Sequence, residues 1–546
     1  MNFKGKEYKL SAILPWIATA TRQQRGGIIA IVALGIATVA FNFLFVWATK
    51  QAIDGAIAHK NGILQAACFT LVGIAVMQTL ISATSRRIKT MQAFRLNRRM
   101  QQSMLSHALT SDWSEISAYH TGDLARRITS DTATVTGFTT STLPTALLVT
   151  LQLAGAYIFL MVLNWRMAVA MMAIMLAGIF ASKFHFLKIR AFSARIKEGN
   201  SMLQAALQEA LQNIPVLKAL EGISVFKDHY NRIFNAQEAN VKKRLNYTIA
   251  SSTILNAGFA ACYLFIFIWG VNSLSSSAIT YGTLMAFVQL VGQIQGPART
   301  LIGSVSEFAE FYTSCERLNE IDNITSETTG AVALPAGLPD VECDDLTYSY
   351  PDGKHSVISG FSHVFKAGTF TAVIGPTGKG KTTLLRLMLQ YIRPNAGHVR
   401  LVYGNFTAEA SAATRQAFAY VPQGNTLFSM TLRENLQLAN PNATDAEMQQ
   451  ALAWACADFL KPGALDEPCG ENGRGLSQGQ TQRICIARAL LSPAPVLLMD
   501  EATSALDHET EEKIIRNIHS NVKNKTIIFV THRETALHYA DSTVSL

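Results

Sequence analysis

Over the first 300 positions the apolar residues come in long unbroken runs rather than in alternation. The first, "GIIAIVALGIATVAFNFLFVWA" (27–48), is long enough to span a bilayer, and no small-residue cleavage pattern follows it. Further runs lie near 62–84, 141–163, 166–183, 250–271 and 279–303. Six spans return the chain to its starting side. Between the runs, the segments near 85–140 and 184–249 keep a helical period with few Gly or Pro, as in "NSMLQAALQEALQNI" (200–214). They predict two down-and-up helical hairpins reaching on the order of 35–40 Å past the bilayer; two separate small helical domains are the alternative. After Leu318 the pattern changes. "DNITSETTGAVALPAGLPD" (322–340) reads as a linker. From Val341 onward, short β-rich runs alternate with amphipathic helical stretches, the pattern of an α/β domain on a largely parallel sheet. The expected organisation is an all-α membrane domain over 1–321, the linker over 322–340 and an α/β domain over 341–546, with no internal repeat.

Composition agrees with a chain partly solvated by lipid. Charged residues make up 16% of it, against about a quarter in soluble proteins. The net charge of +9 raises nucleic acid as a partner. The basic residues instead gather beside apolar runs, which argues against nucleic acid. Lys4, Lys6, Lys9, Arg22 and Arg25 precede the first run. Arg86, Arg87, Lys89, Arg95, Arg98 and Arg99 follow the second, and Lys183, Lys188, Arg190, Arg195 and Lys197 follow the fourth. The opposite loops, "NWR" (164–166) and "NSLSSSA" (272–278), are nearly uncharged. The positive-inside rule therefore places the amino terminus in the cytoplasm of a plasma-type (inner) membrane. Seven scattered cysteines without metal-like spacing fit a reducing compartment, where they serve as small core hydrophobes.

The α/β half carries the chemistry. "TFTAVIG" (369–375) reads as a buried strand, "GPTGKGKTT" (375–383) as a phosphate-binding loop, and a helix follows at once. Gly375, Gly378 and Gly380 let the backbone of Gly375, Pro376, Thr377, Gly378, Lys379, Gly380, Lys381, Thr382 and Thr383 wrap phosphates. Lys381 reaches the β- and γ-phosphates and Thr382 offers a hydroxyl to Mg²⁺. "PVLLMDEATSALD" (495–507) gives a second buried strand that delivers Asp500 to the Mg²⁺ shell, with Glu501 next to it to polarise the attacking water. "TIIFVTH" (526–532) is a third, ending in His532, which can contact the γ-phosphate. "RGLSQGQTQRICIARALL" (474–491) reads as a second anion cradle at a helix start, although one nucleotide needs only one.

In this order, the phosphate loop, "YVPQ", "LSQGQ", "MDEATSALD" and "VTHR" resemble the ATP-binding-cassette ATPase domain. The six preceding runs with long helices resemble the exporter-type (type IV) half-transporters of that superfamily, and the likeness covers essentially the whole chain. The resemblance explains the second cradle. Two cassettes close head-to-tail, so Leu476, Ser477, Gln478, Gly479 and Gln480 would hold the γ-phosphate of ATP bound to a partner's phosphate loop. It further implies that Tyr350 stacks on adenine, Gln423 senses Mg²⁺ and the membrane domain, and Asp507 sits in a loop crossing the dimer interface. Segment 471–475, "ENGRG", resembles the loop that contacts the partner's helices. "YHTGDLARRITSDTATV" (119–135) resembles the first cytoplasmic loop, with a coupling helix nearby and a second near 213–222.

Two departures stand out. Gln478 occupies a position where the commonest family form has Gly, which puts the backbone of that loop in question. The chain also stops 14 residues after His532, so C-terminal dimer contacts of relatives are expected to be missing. With no peptidase domain ahead of the first run, leader-peptide processing is not expected.

The expected function is ATP-driven export or flipping by a homodimer in a lipid bilayer. A heterodimer subunit and an ATP-gated channel or sensor are the alternatives. The apolar runs hold almost no acids. Gln289 and Gln293 share a helical face above Gly296 and Pro297, with Gln152 and Asn256 on neighbouring runs. That set suits a neutral or anionic amphipathic cargo such as a lipid or peptide; helix–helix bonding is its alternative reading.

Overall fold

The computed structural model describes residues 15–19, 21–327, 330, 332–350, 355–461, 463–470 and 475–546; it leaves out the side chains of 175–179, 181–184, 186–187, 190 and 302. Lys4, Lys6, Lys9, four of the five residues of "ENGRG" and the side chains of Lys183 and Arg190 therefore lie outside the described residues. The chain divides into two compact units: 1–105 with 122–321, and 106–121 with 322–546.

The first unit is built from helices, all of them long except α6: α1 (Arg25–Ile57), most of α2 (Asn61–Thr110), α4 (Thr121–Leu163), α5 (Trp165–Gln212), α6 (Ile214–Ala219), α7 (Ile223–Ser275) and α8 (Tyr281–Asp322). The expected hairpin arms are not separate helices. They continue the apolar runs without a break, so α2, α5 and α7 have 50, 48 and 53 residues, about 72–80 Å each at 1.5 Å per residue.

Among the described residues four helices are long and apolar enough to cross a membrane: Arg22–Ile57, Asn61–Thr110, Thr121–Leu163 and Ile223–Ser275. The other two expected spans fall on α5 and α8. In α5 the apolar stretch Trp165–Ile174 runs into the undescribed side chains. In α8, Gln289, Gln293 and Gln295 dilute the run. Large side chains such as Phe69, Val162 and Phe180 stand in the open, as lipid-facing residues do. Val46, Leu160, Ile266, Phe287 and Leu290 pack inside.

Two local features mark this unit. Helix α4 contains two π-helical turns, Arg127–Asp131 and Phe138–Thr142. At the other end, Asp54 from the end of α1 accepts from the Gly282 amide at 2.9 Å and from the Thr280 hydroxyl at 3.0 Å. The carboxylate thus sits where the first amides of α8 lack helical partners. A Cβ on Gly282 would meet the Lys50 carbonyl at 2.4 Å, so this close approach requires glycine.

The second unit takes in the end of α2 and the short helix α3 (Trp113–Ile116) and holds two sheets. One is antiparallel, in order β2-β1-β4-β5: β1 (Asp340–Tyr348), β2 (Ile358–Phe365), β4 (Ala396–Tyr403) and β5 (Phe406–Glu409). The other is parallel, in order β6-β7-β8-β3-β9: β3 (Phe370–Ile374), β6 (Phe418–Val421), β7 (Val496–Asp500), β8 (Thr526–Val530) and β9 (Ser542–Ser545). Its inner strands β7 and β8 are buried along their whole length and β3 nearly so, because helices cover both faces. Along β7, Val496 and Leu498 enter one core with Leu384 and Leu385 of α9 (Lys381–Met388). Leu497 and Met499 enter the other, with helices α10 (Leu432–Gln437), α11 (Asp445–Trp454), α12 (Gln478–Leu491) and α13 (His508–Asn521). The last helix is α14 (Glu534–Tyr539). The strand ends of β3, β6, β7 and β8 thereby converge at one edge, where ligands bind in open parallel sheets.

Candidate functional site

The loop after β3 is shaped by glycine. Gly375, Gly378 and Gly380 have φ of 153°, 84° and 94°, and Gly380 caps α9 in the left-handed conformation. A Cβ at Gly380 would meet Val357 at 2.9 Å. Lys381 is buried, and its ammonium donates to the carbonyls of Gly375 at 2.8 Å and Pro376 at 3.1 Å. The lysine thus folds back into its own loop, a position from which it can exchange carbonyl partners for phosphate oxygens.

Thr382 Oγ1 donates to Asp500 Oδ1 at 3.1 Å, and the Tyr420 hydroxyl donates to Asp500 Oδ2 at 3.4 Å. Burial pushes the Asp500 carboxyl above the usual carboxylate range, helped by the charge of Glu501; Thr382, Arg386 and Tyr420 oppose the shift. Burial also raises the Tyr420 phenol. A desolvated carboxylate beside a hydroxyl is an oxygen donor set suited to a hard divalent cation. The residues present fit Mg²⁺, with Thr382 and Asp500 as holders; the Gln423 amide is bonded to Glu501, the next residue.

Glu501 has φ 47°, a left-handed conformation for a residue with a side chain, and backbone strain of this kind collects at functional sites. Its two oxygens are spoken for. Oε1 lies 3.1 Å from His532 Nε2, and Oε2 accepts from Gln423 Nε2 at 2.8 Å. Thus residues chosen from four separate motifs form two bonded sets at the sheet edge, Thr382–Asp500 and Gln423–Glu501–His532, which meet at the adjacent residues 500 and 501. Tyr350 lies beside α9. Its hydroxyl is 3.3 Å from Thr383 Oγ1 and accepts from Arg386 at 3.4 Å, and its ring meets Tyr348 edge-on.

The second cradle is elsewhere. Ser477 caps α12: its Oγ accepts from the Gln480 amide at 3.1 Å, and Gln480 Oε1 accepts from the Ser477 amide at 2.8 Å. Gln478 is the first residue of that helix, so the question it raised is answered by ordinary helical geometry that needs no glycine. Gly479 is the tighter position, since a Cβ there would meet the Ala505 carbonyl at 3.1 Å and the neighbouring loop would have to give by a few tenths of an ångström. Leu476 packs against the core beside α12. Among the described residues no hydrogen bond joins 476–480 to 375–383. Asp507 caps α13, accepting from the Thr510 amide at 2.9 Å, which holds its carboxyl below the usual range.

Sequence reasoning missed Tyr420, Gln482 and Arg533. All three lie inside the quoted motifs, but their roles depend on partners distant in sequence.

Comparisons with known proteins identify the family. The family profile described as "ABC transporter transmembrane region" matches residues 27–298, and that described as "ABC transporter" matches 358–504. The chain is 29% identical over 398 residues to the beta-(1-->2)glucan export ATP-binding/permease protein NdvA of Bartonella bacilliformis, covering 69% of this chain and 64% of that protein's length. It is 25% identical over 522 residues to the ATP-dependent lipid A-core flippase of Vibrio cholerae serotype O1, covering 94% of this chain and 90% of that one. A solved bacterial Atm1-family ABC exporter with ATP bound shares the fold, with a TM-score of 0.80 at 22% identity over 96% of this chain and 93% of that one. The chain belongs to the ATP-binding-cassette transporters, with the exporter-type architecture that joins a helical membrane region to an ATPase cassette on one polypeptide.

Proposed function

We propose that this chain is half of an ATP-driven exporter or flippase, a transport ATPase that works as a homodimer in the cytoplasmic membrane with its cassette in the cytoplasm. The observation that carries the reading is two hydrogen-bonded sets at the sheet edge, Thr382–Asp500 and Gln423–Glu501–His532, which meet at the adjacent residues 500 and 501, on a chain whose other half holds membrane-length helices. Lys381 and the loop amides would bind the phosphates of ATP. Glu501 would take a proton from water as its oxygen attacks the γ-phosphorus and the bond to the β-phosphate oxygen breaks. His532, now on Glu501, would turn to the γ-phosphate. Mg²⁺, when bound, would supply charge neutralisation at the phosphate oxygens. Ser477, Gly479 and the start of α12 would complete the site bound to the partner's phosphate loop, and Asp507 would lie where the cassettes meet. Helix α6 (Ile214–Ala219) falls in the stretch given to the second coupling helix.

Tyr350 supplies a direct check on nucleotide binding. Tyr350→Ala is expected to raise the KM for ATP about tenfold with a smaller change in kcat, since stacking on a base is worth about 1–3 kcal/mol. Tyr350→Trp should keep the wild-type value. A KM unchanged by Tyr350→Ala, read in a steady-state ATPase assay, would remove adenine stacking from the account.

For the cargo we propose a neutral or anionic amphipathic compound, a lipid or a peptide. The amides split into two groups. Gln293 accepts from Gln152, and Asn256 accepts from Arg299, so these two are engaged between helices. Among the described residues Gln289 Oε1 is buried without a hydrogen-bond partner, which leaves it available to a donor on cargo. Gln289→Ala should shift the cargo concentration for half-maximal ATPase stimulation by about 3- to 10-fold, the worth of one hydrogen bond. Gln293→Ala should instead lower the melting temperature. Loss of stability in both variants with an unchanged cargo response would assign all the amides to helix packing.

A further inference from the structure

Residue 533 follows the strand-end histidine, yet its side chain serves a different loop. Arg533 Nη1 donates to the Leu506 carbonyl at 2.9 Å and to Glu511 Oε2 at 2.8 Å, and Nη2 donates to the Ser504 carbonyl at 2.9 Å. One guanidinium thus takes both carbonyls that flank Ala505. Glu511 is fully buried, and its other oxygen accepts from the buried Thr503 hydroxyl at 2.6 Å. From the opposite side, buried Gln482 of α12 accepts from the Ala505 amide at 3.0 Å and donates to Ser504 Oγ at 3.2 Å. The loop between Glu501 and Asp507 is therefore gripped by the residue after His532 and by the helix that Ser477 caps.

We infer that Arg533 is a positioning residue that links His532 to loop 504–507, so that occupancy of one ATP site sets the loop that reaches the other. The inference rests on the composite-site reading above and names its regulation. A guanidinium is planar, and its donors are fixed relative to one another. Its contacts with 504, 506 and Glu511 consequently move as one body, and the three bonds together hold the side chain that ties the backbone at 533 to the loop. Arg533 also cannot leave Glu511 without stranding a desolvated carboxylate. A shift of His532 toward the γ-phosphate, one residue away, is passed to the loop instead of being absorbed by a rotamer change. Lysine, with a single ammonium on a flexible stem, cannot hold two carbonyls and a carboxylate in that fixed geometry.

The test uses the full-length protein in lipid nanodiscs. Spin-label distances between the two cassettes report ATP-driven closure in a Glu501→Gln background, and steady-state ATPase of the otherwise wild-type chain gives the Hill coefficient for ATP. Arg533→Lys is expected to raise the ATP concentration for half-closure about tenfold and to bring the Hill coefficient from above 1 down to 1. MgADP affinity should stay within about twofold, because the strut does not touch the nucleotide. Glu511→Gln, nearly isosteric, should do the same, and it carries the test if Arg533→Lys does not fold. An unchanged closure midpoint and Hill coefficient, even with a lowered melting temperature, would leave the pair a stability strut and overturn the inference. If the Glu501→Gln parent itself never closes with ATP, the composite-site reading fails and takes the inference with it; closure of the parent with no effect of either variant sinks the inference alone.

Discussion

Glu501→Gln is expected to bind MgATP with near wild-type affinity and to turn it over at least 100-fold more slowly, the scale of a lost general base, about 10²–10⁴. The geometry makes this substitution clean. Glutamine has the same shape as glutamate, and it offers Gln423 an acceptor in place of Oε2, which now accepts at 2.8 Å. The left-handed backbone at 501 is held by the Glu501 amide donating to the Val530 carbonyl and the Ser504 amide donating to the Glu501 carbonyl, and neither bond involves the side chain. What disappears is the group that can accept a proton from water. The phosphate clamps, Lys381 and the loop amides, remain. The variant should accumulate as a closed, ATP-loaded dimer. Turnover within about tenfold of wild type would show that another residue is the base.

The second large effect separates a composite site from a self-contained one. In a mixed dimer, Lys381→Ala on one chain and Ser477→Arg on its partner should strike the same site and leave the other able to bind ATP. Both changes on one chain should damage both sites. The expected contrast is one occluded ATP per dimer against none. Ser477 suits the test because its hydroxyl caps α12 at the place where an anion would meet the helix amides. An arginine there fills the cradle and leaves the phosphate loop of its own chain untouched. Equal ATP occupancy in the two arrangements would argue that each chain completes its own site.

The parallel sheet and its chemistry were legible because strands buried on both faces write themselves as apolar runs. β7 and β8 are each followed or ended by the residues the chemistry needs, Asp500 and Glu501 in one case and His532 in the other. The glycines of 375–380 were legible for the same local reason, since a wrap of that tightness excludes side chains. Other features are set by partners far along the chain. The Tyr420 hydroxyl reaches Asp500 across 80 residues, and the Arg533 side chain serves carbonyls 27 and 29 residues upstream. Nothing in the local pattern of "YVPQ" or "VTHR" encodes these directions.

The two π-helical turns of α4 were also invisible, because a π turn adds a residue to a helix without changing its apolar character. Gln478 shows the reverse case. A departure from the family's usual residue looked like a threat to the loop, but the position is already helical, and the tight approach lies one residue later, at Gly479.

The central claim, that ATP hydrolysis drives cargo uphill, is tested most directly in inside-out vesicles holding the purified protein, with a compound that stimulates its ATPase. The account predicts that the compound accumulates inside above its outside concentration only with MgATP, and that Glu501→Gln abolishes the accumulation. If ATP instead permits only equilibration down the gradient, at an undiminished rate in Glu501→Gln, the protein is an ATP-gated channel and the account is wrong.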